Sequence, residues 1–291
     1  MKVFIYGAGK VGSALARGLY SLHDPRIDVT LHPARKGVPK SRIDADVVVL
    51  SVRDRDLGPV AKALALSGVL PKRAVVVHNA GAAAAEALSE LRPVVAGIAQ
   101  MHPMLSFASC KFSPSLMRGH VHIKGDAVAE KRARILARKL GMTPRTFPHL
   151  DTVGYHAAAA LVANGAAALA AMGAELLVNS GAARADAPKM LAPLLRSVAE
   201  NVEVLGFPDA LTGPVRRGDA GAIERQIDIL AARVPQAIAL FLASAQAQLP
   251  LARALGDAPP ENFDAIEKVL AKASAGNHSG PPSKAGSALN G

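Results

Sequence analysis

Gly7-Ala8-Gly9-Lys10-Val11-Gly12 sets three glycines at GxGxxG spacing, straight after the strand-like run Lys2–Tyr6 and before a helical stretch, Ser13–Leu22. Each glycine has a physical task. Gly7 makes a tight turn, Gly9 lets a pyrophosphate approach the backbone, and Gly12 lets helix and strand pack closely. The helix N-terminus then presents free N–H groups to the phosphates. The strand–loop–helix context makes this a dinucleotide site, the alternative being a glycine-rich turn that holds no cofactor. The following strand ends Thr30-Leu31-His32-Pro33-Ala34-Arg35-Lys36. It lacks the carboxylate that would accept from a ribose 2′-OH. Arg35 and Lys36 suit a 2′-phosphate instead, so NADP is expected over NAD, unless this is only a solvated basic loop. Ser51 and Val52, after a third strand, are expected beside the nicotinamide ribose. Arg53 and Asp54 either join them or form an exposed pair.

A nicotinamide supplies hydride, so the protein must orient a substrate and handle one proton. Histidine suits that task near neutral pH. Of nine histidines, His78, His102 and His156 fall at expected cleft positions. His78 is expected to border the cofactor. His156 opens a long helix and is expected to donate the proton, or else to cap the helix. Asn164 lies eight residues on, about 80° around and 12 Å along an ideal helix, and either holds a substrate polar group or bonds a neighbouring helix. His102 precedes Pro103 on what reads as a rigid loop and either contacts substrate or is structural. Thr212-Gly213-Pro214-Val215-Arg216-Arg217-Gly218-Asp219 is turn-rich, with Asp219 as a helix N-cap. Thr212 and Arg217 are expected to bind substrate, Arg217 clamping a carboxylate or else pairing with Asp219. No metal-ligand spacing is evident, and lone Cys110 reads as inert.

These residues need a scaffold. Strands are expected at Lys2–Tyr6, Ile27–Leu31, Asp46–Val52, Arg73–His78, Val94–Ala99, Gly119–Lys124 and Thr143–Phe147. Helices are expected at Leu57–Leu66, Ala82–Leu91 and Ala127–Leu140. Such alternation implies an α/β domain over 1–150 with a doubly wound parallel sheet. From 151 to 273 only helices are legible: Thr152–Asn179, Pro188–Val204, Gly221–Leu230, Pro235–Leu255 and Pro260–Ala273. The first is apolar nearly all round, which implies burial inside the domain or between subunits. Residues 274–291 read as a disordered tail.

Four further segments join the glycine loop: His78-Asn79-Ala80-Gly81, Met101-His102-Pro103-Met104-Leu105-Ser106-Phe107-Ala108, Tyr155-His156-Ala157-Ala158-Ala159 and Ala210-Leu211-Thr212-Gly213-Pro214-Val215-Arg216-Arg217-Gly218-Asp219. In that order, over residues 1–272, the series resembles an uncharacterised bacterial oxidoreductase family. The resemblance implies a Rossmann-like domain followed by a helical domain of unknown function, similar to the C-terminal domain of 6-phosphogluconate dehydrogenase. Ketopantoate reductase, pyrroline-5-carboxylate reductase and deazaflavin-dependent NADP oxidoreductase share the broader architecture. This chain departs at His78-Asn79-Ala80-Gly81, where such proteins often carry hydroxyls. It departs again at Ala160, where many relatives place a catalytic Lys four residues before an Asn.

Charge and composition narrow the function. Residues 1–150 carry 23 Lys+Arg against 10 Asp+Glu, whereas the rest carry 11 against 13. The basic excess therefore lies on the dinucleotide half. Aromatic residues are only 3% of the chain and no nucleic-acid motif stands out, so nucleic acid is not an expected partner. Ala157–Ala174 is uncharged but mostly Ala, and reads as a buried helix rather than a membrane span. No signal peptide is read, and the single Cys fits a cytoplasmic setting. The leading expectation is an NADP-dependent oxidoreductase for a small anionic carbonyl or imine, such as a 2-oxo acid, acting as a homodimer. The alternative is a non-catalytic NADP-binding sensor or assembly protein.

Overall fold

Three of the central strands are almost wholly apolar, and two of them are mostly valine. β1 (Lys2–Tyr6, KVFIY), β3 (Val47–Leu50, VVVL) and β4 (Val75–His78, VVVH) are buried along nearly their whole length. β-Branched residues fit a pleated surface, and a continuous apolar run marks a strand covered on both faces. In the computed structural model, which describes residues 1–277, these strands join β2 (Asp28–His32), β5 (Gly97–Pro103), β6 (His120–Gly125) and β7 (Thr143–Arg145). The seven-stranded sheet has the order β2-β1-β3-β4-β5-β6-β7. Its first five strands are parallel, and β6 runs antiparallel to β5. The expected doubly wound parallel sheet is therefore met through β5, and the edge formed by β6 and β7 reverses direction. Residues 104–119 contain no helix, and a parallel return normally needs one.

Successive side chains of each strand enter opposite cores. Val47, Val49, Val75 and Val77 pack with α1 (Lys10–Tyr20) and α3 (Ala127–Lys139) on one face. Val48, Leu50 and Val76 pack with α2 (Leu57–Ser67) and the segment Ala85–Leu91 on the other. Ala85–Leu91 is a 3₁₀ helix, where an α-helix over Ala82–Leu91 was expected. The strand predicted over Val94–Ala99 is shifted, so that His102 and Pro103 lie inside β5 rather than on a loop. Much of the basic excess on α3 is structural. Arg132 bonds the carbonyls of Asp46 and Arg73, Arg134 reaches Thr146 and Glu130, and Lys139 pairs with Asp24 at 3.3 Å.

From Thr152 on, the described residues form helices and turns: α4 (Thr152–Asn179), α5 (Ala187–Leu205), α6 (Ala220–Arg233), α7 (Ile238–Leu255) and α8 (Pro260–Asn277). The chain divides into two compact units between Ala163 and Asn164, inside α4, rather than at residue 150. The core of the second unit is built by Val215, Ile223, Leu242, Leu249, Phe263, Ile266 and Leu270. Leu230 and Val234 pack against Met172 and Leu176 of α4.

The expected burial of α4 is not met within this chain. None of its residues is buried, and Leu161 is 77% exposed. Its apolar surface runs all round, so neighbours on one side leave the rest bare. Two helical segments, Thr152–Asn179 and Pro235–Leu255, are long and apolar enough to cross a membrane by length and composition. Residues 278–291, most of the expected tail, lie outside the described residues, and Ser274–Asn277 belong to α8.

Candidate functional site

The glycine loop is built as its spacing predicts. Gly7 has φ +117°, and a Cβ there would sit 2.3 Å from the Ser51 carbonyl oxygen. A Cβ on Gly12 would sit 1.9 Å from the Gly7 oxygen, so α1 packs on the strand turn only as glycine. At Gly9, by contrast, a Cβ meets nothing within 4 Å. Gly9 is the N-cap of α1 with no side-chain cap, and the first helical bond runs from the Ser13 N–H to the Gly9 oxygen. The N–H groups of that first turn are therefore left for an anion. Gly7, Ala8 and Gly9 border an open groove of about 290 Å³ with Arg35, Ser51 and Val52. Arg53 and Asp56 also line it, and neither was assigned a firm role from sequence.

Not every expected cofactor residue lines this groove. Lys10 and Lys36 are exposed and stand outside its lining, while Val11 packs against the core and Gly12 is buried under the helix. His78 is corrected more firmly. It is fully buried, its Nε2–H donates to the Ala84 oxygen at 3.0 Å, and its Nδ1 accepts from the Ala80 N–H at 3.2 Å. Neither nitrogen remains for a cofactor. Burial also lowers its pKa, which keeps the ring neutral.

Asn79 compensates for the missing hydroxyls of its turn in a different way. Its Oδ1 accepts from Ser51 Oγ at 2.6 Å, and its Nδ2 donates to the Met101 oxygen at 2.7 Å. The carboxyl ends of β3, β4 and β5 are thus tied together beside the groove.

Where the second core runs out, its strand parity continues in polar residues. Ile98 is buried in that core, while Gln100 and His102 follow on the same face of β5. Gln100 donates to the oxygens of Ala80 and Gly81. His102 Nδ1 lies 3.1 Å from the Tyr155 hydroxyl, and the His102 and His156 rings are 6.1 Å apart. A Cβ on Gly81 would meet His156 Nδ1 at 2.5 Å and His102 Nε2 at 2.8 Å. Gly81 therefore opens the space that both rings face. Burial, and then the neighbouring imidazoles of His156, His122 and His78, push the His102 pKa down to about 4. At neutral pH the ring is uncharged. Burial raises the Tyr155 pKa, so the hydroxyl keeps its proton beside Nδ1. The other ring nitrogen, Nε2, faces Gly81. His156 is exposed, and Asp151 rather than His156 caps the start of α4, accepting from the Val153 N–H at 3.0 Å.

Tyr155 and His122 belong to this cluster and were given no role from sequence. The signal for His122 is the alternation His120-Val121-His122-Ile123-Lys124, which sets polar residues on one face of β6. His122 stands opposite His102 in the strand register.

In the second unit, Asn164, Thr212 and Arg217 are exposed, and no side-chain partner of theirs occurs among the described residues. Asp219 caps α6, accepting from the Ala222 N–H at 2.9 Å, and is not paired with Arg217. The structural arginine of that turn is Arg216. It bonds Asp257 at 2.6 Å and the carbonyls of Asp209 and Leu211.

Several solved structures share this fold. A Bacteroides fragilis protein provisionally described as an NADP oxidoreductase is 18% identical, with 86% of this chain and 98% of that one covered and a TM-score of 0.63. Protein TM1727 of Thermotoga maritima is 20% identical, with 87% and 98% covered and a TM-score of 0.59. A Plasmodium falciparum pyrroline carboxylate reductase with NADP bound is 14% identical, with 95% and 98% covered and a TM-score of 0.56. No curated protein sequence matches the chain. The resemblance drawn from the motif series holds: residues 120–248 match the domain of unknown function DUF2520, in a chain whose mostly parallel sheet and helices follow the Rossmann-like fold of these structures.

Proposed function

We propose that the protein is an NADP-dependent oxidoreductase that moves hydride to or from a small anionic carbonyl or imine compound. One observation carries this reading. At the carboxyl ends of the parallel strands, a groove open over Gly9 and edged by Arg35 lies on the same sheet as the His102–Tyr155–His156 cluster. The last residues of β2 and the turn after it, His32-Pro33-Ala34-Arg35, offer no carboxylate to a ribose 2′-OH, and Arg35 suits a 2′-phosphate.

The dinucleotide, when bound, supplies or takes up the hydride. The N–H groups opening α1 hold its pyrophosphate, and Ser51 and Val52 border its ribose. His156, the exposed member of the histidine pair, supplies the proton to the substrate. His102, held neutral, offers Nε2 to the substrate, with Tyr155 beside its Nδ1. Asn164, Thr212 and Arg217 are further candidates for substrate contact. Burial of the bare apolar surface of α4 against a second copy would make a homodimer. A monomer in light scattering would contradict that part.

The test is turnover of NADPH with a panel of 2-oxo acids and cyclic imines. His156→Gln is expected to lower kcat about 10²–10⁴-fold while NADPH affinity is kept. Unchanged turnover would remove His156 from proton transfer.

A further inference from the structure

The polar face that carries His102 continues into a cavity that the roles above leave unused. It measures about 280 Å³, near the lower end of ligand pockets at roughly 300 Å³. β5 and β6 supply Gln100, His122 and Lys124 to its wall. Phe147 and Pro148 add apolar surface, and Thr152 adds a hydroxyl.

His122 is the anomaly. It is 3% exposed, and its Nδ1 is wholly shielded with no hydrogen-bond partner among the described residues. An unsatisfied buried polar atom is costly, so one retained in a residue that lines a cavity asks for an explanation. The ring stacks at 8° on Phe147, with centroids 6.1 Å apart, and lies 5.7 Å from the Tyr155 ring. It is therefore held in place by packing, with Nδ1 sealed off and Nε2, which bonds nothing among the described residues, as the nitrogen left for a ligand.

The charges of the wall select the ligand. Arg92 is taken up by Asp126 at 3.1 Å and Glu86 at 3.5 Å. Lys124, paired in register with Gln100, has no ion-pair partner among the described residues. One ammonium is thus on offer beside two carboxylates. A monoanion matches that single charge, and the pairing of Arg92 with Glu86 and Asp126 leaves no second cation for a dianion.

We propose that this cavity is the substrate's carboxylate subsite, in which the Lys124 ammonium and the His122 ring hold a small monocarboxylate whose carbon skeleton lies on Phe147. This rests on the oxidoreductase reading above. It also gives that reading a substrate direction, since His122 stands opposite His102 and beside Tyr155.

The experiment is an NMR titration of the histidine ring signals of the full-length protein with 2-oxobutyrate and, separately, with inorganic phosphate. The His122 signal is assigned by its loss in His122→Gln. It is expected to shift saturably with the oxo acid and not with phosphate. Lys124 is exposed, so Lys124→Ala should fold. It is expected to weaken the oxo acid about 10-fold, Lys124→Arg is expected to restore it, and NADPH affinity should be unchanged throughout. A His122 signal that stays still, a response to phosphate at lower concentration, or wild-type affinity in Lys124→Ala would each overturn the proposal. Failure of NADPH to bind while 2-oxobutyrate still moves His122 would overturn the cofactor reading and support the cavity as a carboxylate site.

Discussion

The glycine groove is made of backbone, and the histidine cluster is made of side chains. In the groove, the proposed function rests on what is missing: Cβ atoms at Gly7, Gly9 and Gly12, and a side-chain cap on α1. In the cluster it resides in what burial does to ring chemistry, shown by His102 at a pKa of about 4. The two regions are joined by Asn79, which bonds Ser51 at the groove and the backbone next to His102. The difference teaches that one region should fail by steric change and the other by pH.

The largest expected effect is on the cluster. A folded His102 pKa near 4, below the ordinary 6.5, means that the unfolded chain binds this proton more readily. The stability contribution of the neutral ring is whole above pH 6.5 and is lost as pH falls toward 4, on the order of 3 kcal/mol. Urea unfolding across that range should show the loss, and His102→Gln should flatten part of the slope. Equal slopes in both proteins would mean that burial of His102 does not depress its pKa.

Next comes the groove. Gly12→Ala forces a Cβ toward the Gly7 oxygen and should cost about 1–3 kcal/mol of stability together with nucleotide binding. Gly9→Ala has room, so Tm should hold while NADPH affinity falls. If Gly9→Ala binds NADPH normally, the pyrophosphate does not lie over Gly9. Asn79→Ala strips a donor from the Met101 carbonyl and an acceptor from the Ser51 hydroxyl. It should lower stability by about 1–2 kcal/mol and disturb both regions, and an unchanged Tm would show them to be independent. The smallest effect separates two neighbours. Arg35→Ala should weaken NADPH about 10-fold relative to NADH, and Lys36→Ala, outside the groove lining, should barely change that ratio.

Legibility followed the same division. The glycine loop, Arg35 and the valine strands could be read because local backbone rules determine them. The cluster could not be read in full, because it depends on which strands become neighbours. The expected strand stops at Ala99, and Gln100, His102 and Pro103 interrupt the apolar run beyond it. In the sheet those residues continue a two-residue alternation, with Met101 in one core and Gln100 and His102 on the cavity side. The reversal of β6 brings His122 opposite His102, a pairing across a helix-free connection that no local pattern signals. His78 misled for the opposite reason. It stands at a strand end where ligands bind, yet the turn it begins consumes both its ring nitrogens. The exposure of α4 was also beyond reach, because an all-apolar helix reads as buried without saying by what.

The most direct measurement is a paired fluorescence titration of the purified chain with NADPH and NADH, followed by the same titration on Gly9→Ala and Arg35→Ala. The expected result is saturable NADPH binding tighter than NADH, lost in Gly9→Ala and with the preference for NADPH reduced in Arg35→Ala. Absence of binding by either nucleotide to the folded wild-type chain would contradict the dinucleotide site, and with it the oxidoreductase.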